Sequence, residues 1–271
     1  MSDRKSRAQE VSRGMSGKEK RVYRIFQRIA GRYDRANERI SLGLQGRWKQ
    51  MLTRALSREL PEGGQVLDVC CGTGDVSLLL SEARSDLSVT GIDFSPAMLK
   101  VAEQRAERKA LSRAQVRFLR GNAMALPFRD GAFDAAVISF GLRNTADYRK
   151  TLSEMKRVVK EGGTVACLDS FVPGSGLVQP FYRFYFRILM PLLGGGLKYR
   201  KEYQWLYQST KEFLRREELA GLFRDLGLIR VRAESRMFGA CSLVSGVKTL
   251  TKRNRAHEAA HEMEDMVYER R

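Results

Sequence analysis

A short apolar run, Gln65–Cys70, leads into Asp68-Val69-Cys70-Cys71-Gly72-Thr73-Gly74-Asp75, and Asp75–Ala83 continues with helical periodicity. Glycines at such a strand-to-helix turn let the backbone approach a ligand closely. In an open α/β sheet, ligands bind outside the carboxyl ends of the strands. Two details narrow the ligand. A dinucleotide fingerprint needs a third glycine, and this chain has Ser77 there. A pyrophosphate also needs a helix start that welcomes an anion, whereas Asp75 places a carboxylate at that point. A ligand that lacks phosphates but carries a sulfonium and an amino group escapes this repulsion. Asp68, at the strand end, is placed to accept from the amino group. Plainer roles, Asp75 capping its helix and Asp68 capping the turn, can coexist with ligand binding.

Further marks lie downstream. Asp93 ends the second apolar run, 21 residues after Gly72, near the ~20 at which a carboxylate meets ribose hydroxyls. Its alternative role is to cap the next helix, although Ser95 already suits that task. Gly121-Asn122-Ala123 follows the third run and offers a side-chain amide to the edge of adenine; taken alone it is an ordinary turn. Arg143-Asn144 follows the fourth run, Phe133–Phe140, on the rim where a substrate must meet the ligand.

The elements that carry these residues alternate. Strands are expected at Gln65–Cys70, Leu87–Ile92, Val116–Leu119, Phe133–Phe140 and Thr164–Asp169, with helices at Asp75–Ala83, from Ser95-Pro96 onward, and at Tyr148–Val159. Glu161-Gly162-Gly163 reads as a turn. Leu228–Glu234 and Met237–Val247 read as a closing hairpin turned at Ser235-Arg236. Such alternation implies βαβ units and a mainly parallel sheet. Ahead of it, residues 1–20 read as a disordered tail. Lys20–Leu60 has apolar residues at helical spacing, broken near Ser41–Gly46, and forms a helical lid over 21–60. The main domain spans 61–250, with an aromatic insertion at 172–207, and a polar extension follows at 251–271.

Composition excludes several classes. Four cysteines include no C-x-x-C pair, and the only histidines are His257 and His261, so neither a Cys/His zinc site nor a disulfide framework is expected. The polar N-terminus shows no secretory pattern, and a cytoplasmic protein is expected. The net charge of +18 is uneven: residues 1–60 hold 16 Lys/Arg against 6 Asp/Glu, residues 61–170 hold 15 against 14, and residues 171–271 hold 18 against 11. Basic flanks suit an anionic membrane surface, nucleic acid, or plain solvation, and charge alone does not choose.

In order, these segments resemble the class I S-adenosylmethionine-dependent methyltransferases. Asn122-Ala123-Met124-Ala125-Leu126-Pro127-Phe128 with Phe133-Asp134 is similar to their small-molecule branch. The match narrows with Ile25–Asn37, Ser41–Leu44 and Trp48-Lys49, and most with Ile138-Ser139-Phe140-Gly141-Leu142-Arg143-Asn144. These strings resemble the ubiquinone/menaquinone biosynthesis C-methyltransferases over roughly Lys20 to Lys248. The resemblance implies a doubly wound, Rossmann-like seven-stranded sheet with an antiparallel last strand. It implies S-adenosyl-L-methionine held by Thr73, Asp93, Asn122, Ala123 and Ser139, beside the Asp68, Gly72 and Gly74 of the turn. Cys70 replaces the first glycine of the general pattern and is expected to pack beside the cofactor.

The implied reaction moves a methyl group to a ring carbon of a prenylated quinol. Alignment and exclusion of water are then the main tasks, and Arg143 and Asn144 are the expected catalytic pair, the arginine favouring the phenolate. A salt bridge at the sheet edge is the plainer role for Arg143. Phe181–Met190, interleaved with Arg183 and Arg187, is expected to lie at an interface or line a greasy pocket, with ordinary core packing as the plainer alternative, since Ile188–Leu197 is too short to span a bilayer. Expected partners are the quinol, an anionic membrane and a second copy of the chain. Nucleic acid is disfavoured because Ser139-Phe140-Gly141-Leu142 stands where base methylases carry Asn/Asp-Pro-Pro-aromatic. A methyltransferase for another lipophilic phenol and a non-catalytic cofactor-binding scaffold remain competing functions.

Overall fold

The computed structural model describes residues 16–173, 178–180, 185 and 200–250. Most of the aromatic insertion, residues 1–15 of the expected tail, and the extension 251–271 lie outside the described residues. One sheet contains β1 (Gln65–Val69), β2 (Ser88–Asp93), β3 (Val116–Arg120), β4 (Phe133–Ser139), β5 (Val159–Ser170), β6 (Leu228–Arg236) and β7 (Cys241–Lys248), in the order β3-β2-β1-β4-β5-β7-β6. The β3-β2-β1-β4-β5 pairings are parallel, and β7 runs antiparallel to both β5 and β6. This is the doubly wound sheet that the alternating pattern implies. The strand order reverses beside β1, between β2 and β4, which is where a crevice opens at the carboxyl ends.

Alternating side chains explain the two-sided core. Leu67, Val69, Ala136, Ile138 and Val165 pack on one face with Leu152, Met155 and Phe223. Val66, Ala135, Val137, Ala166 and Leu168 pack on the other with Leu52, Leu56, Leu78 and Leu80. Each fully buried large side chain contributes about 1.5–3 kcal/mol. The helices that supply them are α1 (Gly17–Ile29), α2 (Tyr33–Ile40), α3 (Leu44–Glu59), α4 (Asp75–Ala83), α5 (Pro96–Arg108), α6 (Tyr148–Val158), α7 (Arg200–Lys211) and α8 (Arg216–Asp225).

Several local expectations need correction. Gly17–Lys20 belongs to α1 rather than to the tail, because Ser16 and Glu19 form a reciprocal capping box: Ser16 Oγ accepts from Glu19 N at 3.2 Å, and Ser16 N donates to Glu19 Oε2 at 2.7 Å. Ser95 caps α5 as expected, accepting from Met98 N at 3.4 Å. Glu161-Gly162-Gly163 does not end an element. It lies inside β5, where the pairing with β4 shifts register between Phe133 and Ala135 and Gly162 takes φ +75°. The closing hairpin turns later than expected, at Met237–Gly239, with Ser235 and Arg236 still paired to Ser242 and Cys241.

Candidate active site

The carboxyl ends of β1 and β4 carry the backbone irregularities. Gly72 and Gly74 take φ of +56° and +82°, and a Cβ at Gly72 would meet no atom within 4 Å, so that face is open. Cys70 and Phe140, which are not glycines, both take φ +55°. Strain of this kind, of order 1–3 kcal/mol per residue, persists where surrounding structure imposes it, often at functional sites. The two turns fit each other closely: a Cβ on Gly141 would lie 2.6 Å from Cys70 Cβ. Cys70 thus packs against Gly141, and burial pushes the Cys70 and Cys71 thiols well above their ordinary range, which disfavours the thiolate.

Asp68 takes the plainer of its two expected roles and braces the turn. It is buried, and its Oδ2 accepts from Ser77 N at 3.0 Å and Ser77 Oγ at 2.7 Å. The serine that replaces the third glycine is therefore the partner that ties β1 to α4. Burial raises the Asp68 carboxyl to about 7. Asp93 bridges two backbones: Oδ2 accepts from Gly72 N at 3.0 Å and Oδ1 from Ser95 N at 2.8 Å. It holds the glycine turn against the start of α5, and burial raises it to about 6. Asn122 Oδ1 accepts from Met124 N at 2.9 Å, bracing its own turn just beyond β3, with Ala123 partly buried beside it. Ser139, at the end of β4, has a buried hydroxyl with no hydrogen-bond partner among the described residues. An orphaned buried hydroxyl at the switch point, next to an open glycine turn, fits a bound cofactor with polar edges.

Asp75 is not an isolated negative charge at the helix start. It accepts from Lys49 Nζ at 2.6 Å and from Arg105 Nη1 at 2.5 Å. Burial opposes its ionisation, but the two cations outweigh burial and hold its carboxyl below the usual range. The repulsion expected against a pyrophosphate is thus largely neutralised, and the case against a dinucleotide passes to Ser77 and its bond to Asp68. Arg105 also donates to Thr73 O at 2.9 Å and lies 3.1 Å from Asp34 Oδ2, while Thr73 Oγ1 donates to Asp34 Oδ1 at 2.6 Å. Thr73 is therefore the residue on which the N-terminal segment closes. That segment also covers the site through Tyr23 against Phe94, ring centres 5.7 Å apart, and Lys18 Nζ donating to Tyr148 Oη at 3.2 Å.

The structure moves Arg143 from the rim to the interior. It is 5% exposed and forms an ion pair with Asp169, the buried acid near the end of β5. The pair sits at the carboxyl ends of two central strands, not at the sheet edge. Asn144 Nδ2 donates to Phe140 O at 3.4 Å, and its Oδ1 accepts from Trp205 Nε1 at 3.2 Å, which fixes it beside Arg143. Tyr33 approaches from the lid. Burial raises its phenol above the ordinary range against the nearby Lys49 and Arg143 charges, so it stays protonated. Lys49, Arg105 and Asp169 escaped sequence reasoning. Lys49 entered the sequence reading only through the Trp48-Lys49 string and Asp169 only as the last residue of the expected strand Thr164–Asp169, while Arg105 gave no signal.

Comparison with known proteins agrees with this geometry. The model of the ubiE/COQ5 methyltransferase family matches residues 14–248. A demethylmenaquinone methyltransferase of Geobacillus kaustophilus is 42% identical over 233 residues, 85% of this chain and 98% of that protein. One from Bacillus cereus is 42% identical over 237 residues, covering 87% and 98%, and one from Staphylococcus aureus is 41% identical over 229 residues, covering 84% and 92%. Among solved structures, a SAM-dependent methyltransferase of Thermotoga maritima superposes with TM-score 0.58 at 22% identity, covering 84% of this chain and 100% of that one. A phosphoethanolamine N-methyltransferase of Haemonchus contortus superposes with TM-score 0.56 at 18% identity, covering 73% and 52%, and shares the fold. With the sheet, the glycine turn and the β4 end in place, the family match across the described domain makes this chain a member of the ubiE/COQ5 methyltransferase family.

Proposed function

We propose that the chain methylates a ring carbon of a reduced, prenylated naphthoquinol, with S-adenosylmethionine as donor, in the manner that the name demethylmenaquinone methyltransferase gives its relatives. The observation that carries this is coverage: the likeness takes in 98% of a demethylmenaquinone methyltransferase, so the closing segment and the sheet are matched together. A methyltransferase for an unrelated phenol would keep the cofactor half and diverge around the substrate.

The donor's sulfonium supplies an activated methyl group. The chain's own residues bind, orient and exclude water. Asp93, Thr73, Asn122, Ala123 and the orphaned Ser139 hydroxyl line the place where the donor would lie, and closure of the N-terminal segment on Thr73 shuts out solvent. The ring carbon becomes nucleophilic as the quinol hydroxyl loses its proton. Arg143 favours the resulting phenolate, in a field that Asp169 partly cancels but also orients. Tyr33, kept protonated by burial, offers a hydroxyl donor from the lid side. The quinol would arrive from a membrane, to which the basic flanks are suited. Among the described residues no helix is long and apolar enough to cross one. A bacterial strain deleted for its own demethylmenaquinone methyltransferase tests the proposal. This chain should restore the methylated quinone in its lipid extract, and a pool that stays unmethylated despite soluble expression contradicts it.

A further inference from the structure

Among the described residues six large apolar side chains stand exposed, and four of them, Leu42, Val172, Met237 and Phe238, lie at one end of the molecule. Val172 follows the carboxyl end of β5, and Met237 and Phe238 follow that of β6. Helix α3 runs the other way. Lys49 near its start reaches Asp75 at the glycine turn, and Glu59 at its end accepts from Thr164 Oγ1 at 3.3 Å, near the opposite ends of the strands. Leu42, just before α3, therefore belongs to the same rim as the candidate active site.

Leu42 is 69% exposed and Phe238 78%. Both sit at the tips of turns with φ of 50° and 55°, a conformation in which glycine or asparagine fits with less strain. Nothing in the described fold calls for a bulky apolar side chain at either tip. The surroundings of Leu42 are cationic. Arg35 and Arg39 on α2 and Arg47 on α3 are exposed, and none belongs to an ion pair among the described residues. Glu38 is the exposed acid on α2, and α3 has no acidic residue in its first turn. At the other tip Arg236 pairs with Glu234 at 3.0 Å, so the positive charge is concentrated around Leu42.

We propose that this rim docks on an anionic lipid bilayer, with Leu42 and Phe238 entering the interfacial layer and the α2–α3 arginines on lipid phosphates. The inference rests on the prenylated-quinol reading, for which it supplies the route: the face that holds Ser139 and Arg143 is turned to the lipid that carries the substrate. Isolated apolar tips on a basic surface bind such interfaces by burial plus screened attraction.

The full-length protein is tested with phosphatidylcholine vesicles, with and without phosphatidylglycerol. The wild type should sediment with the anionic vesicles and be released by salt. Leu42→Glu/Phe238→Glu should weaken that binding about tenfold or more, with melting temperature and turnover of a short-chain, water-soluble quinol unchanged. Phe238→Trp should gain fluorescence quenching by brominated lipid beyond that of the wild type. Equal vesicle binding by the double variant overturns the proposal, as does absence of added quenching. A wild-type dimer that the double variant disperses also overturns it and assigns the rim to self-association. Vesicle binding that obeys these expectations while no form methylates any quinol supports the lipid face and sinks the substrate reading.

Discussion

Asp68 and Asp93 hold carboxyl groups where ionisation is disfavoured by burial, at about 7 and about 6, against about 3.9 for an unfolded aspartate. The folded chain therefore binds more protons than the unfolded chain between these values. Its stability is greatest at the acid side of that window and is lost as pH rises through it, by up to about 1.4 kcal/mol per unit and group. Unfolding by urea at intervals from about pH 4 to 7 should show the decline. Asp68→Asn keeps an acceptor for Ser77 and should flatten most of it; an unchanged slope contradicts the assignment. The Arg143–Asp169 pair gives a second prediction. Arg143→Ala leaves a buried carboxylate and should cost about 3–5 kcal/mol of stability, as should Asp169→Ala for the stranded guanidinium. If Arg143 also favours the phenolate, turnover should fall in the order wild type, Arg143→Lys, Arg143→Ala, and rising pH should partly restore the alanine variant because hydroxide then makes the phenolate. A pH–rate profile parallel to the wild type's would leave Arg143 a purely structural residue. Sequence placed Arg143 and Asn144 at the right strand end but not at the right depth. Depth depends on Asp169, 26 positions away in sequence and brought alongside by the β4–β5 pairing.

The elements meet through a chain of charges: Lys49 and Arg105 on Asp75, Arg105 on Asp34, and Asp34 on Thr73. Only part of it is buried, so each link contributes little to global stability, typically under about 1 kcal/mol for exposed pairs. Its effect is local, holding residues 16–40 against the glycine turn. Asp34→Ala should speed amide exchange across α1 and α2 while the melting temperature stays nearly constant, and should weaken donor binding through Thr73. Unchanged exchange in α1 and α2 contradicts a latch. The strands and helices of the main domain were legible because periodicity and caps are local signals, with Ser95-Pro96 opening α5 and Asp75 opening α4. The latch was not, because its partners lie 26 to 71 residues apart in sequence. The closing hairpin was misplaced for a different reason. Met237 and Phe238 are poor turn formers, and the polar Ser235-Arg236 looked like a better corner.

At the scale of the molecule, a near-neutral segment, residues 61–170, lies between basic ones, and the sheet's carboxyl end gathers the glycine turn, the orphaned Ser139 hydroxyl, the buried Arg143–Asp169 pair and the exposed apolar tips. On the proposed reading, one face joins donor, acceptor and lipid. The fold class followed from βαβ alternation. The chemistry needed both the strings Ile25–Asn37 and Ile138–Asn144 and the geometry that brings Tyr33 toward Arg143. The most direct test of the central claim is methyl transfer by the purified protein from trideuteromethyl-labelled S-adenosylmethionine to a reduced, prenylated demethylnaphthoquinol, read by tandem mass spectrometry of the product. The account predicts one intact trideuteromethyl group on a ring carbon, present only with the reduced quinol. Label on a ring oxygen, or no label on any quinol although the protein binds the donor, would contradict it.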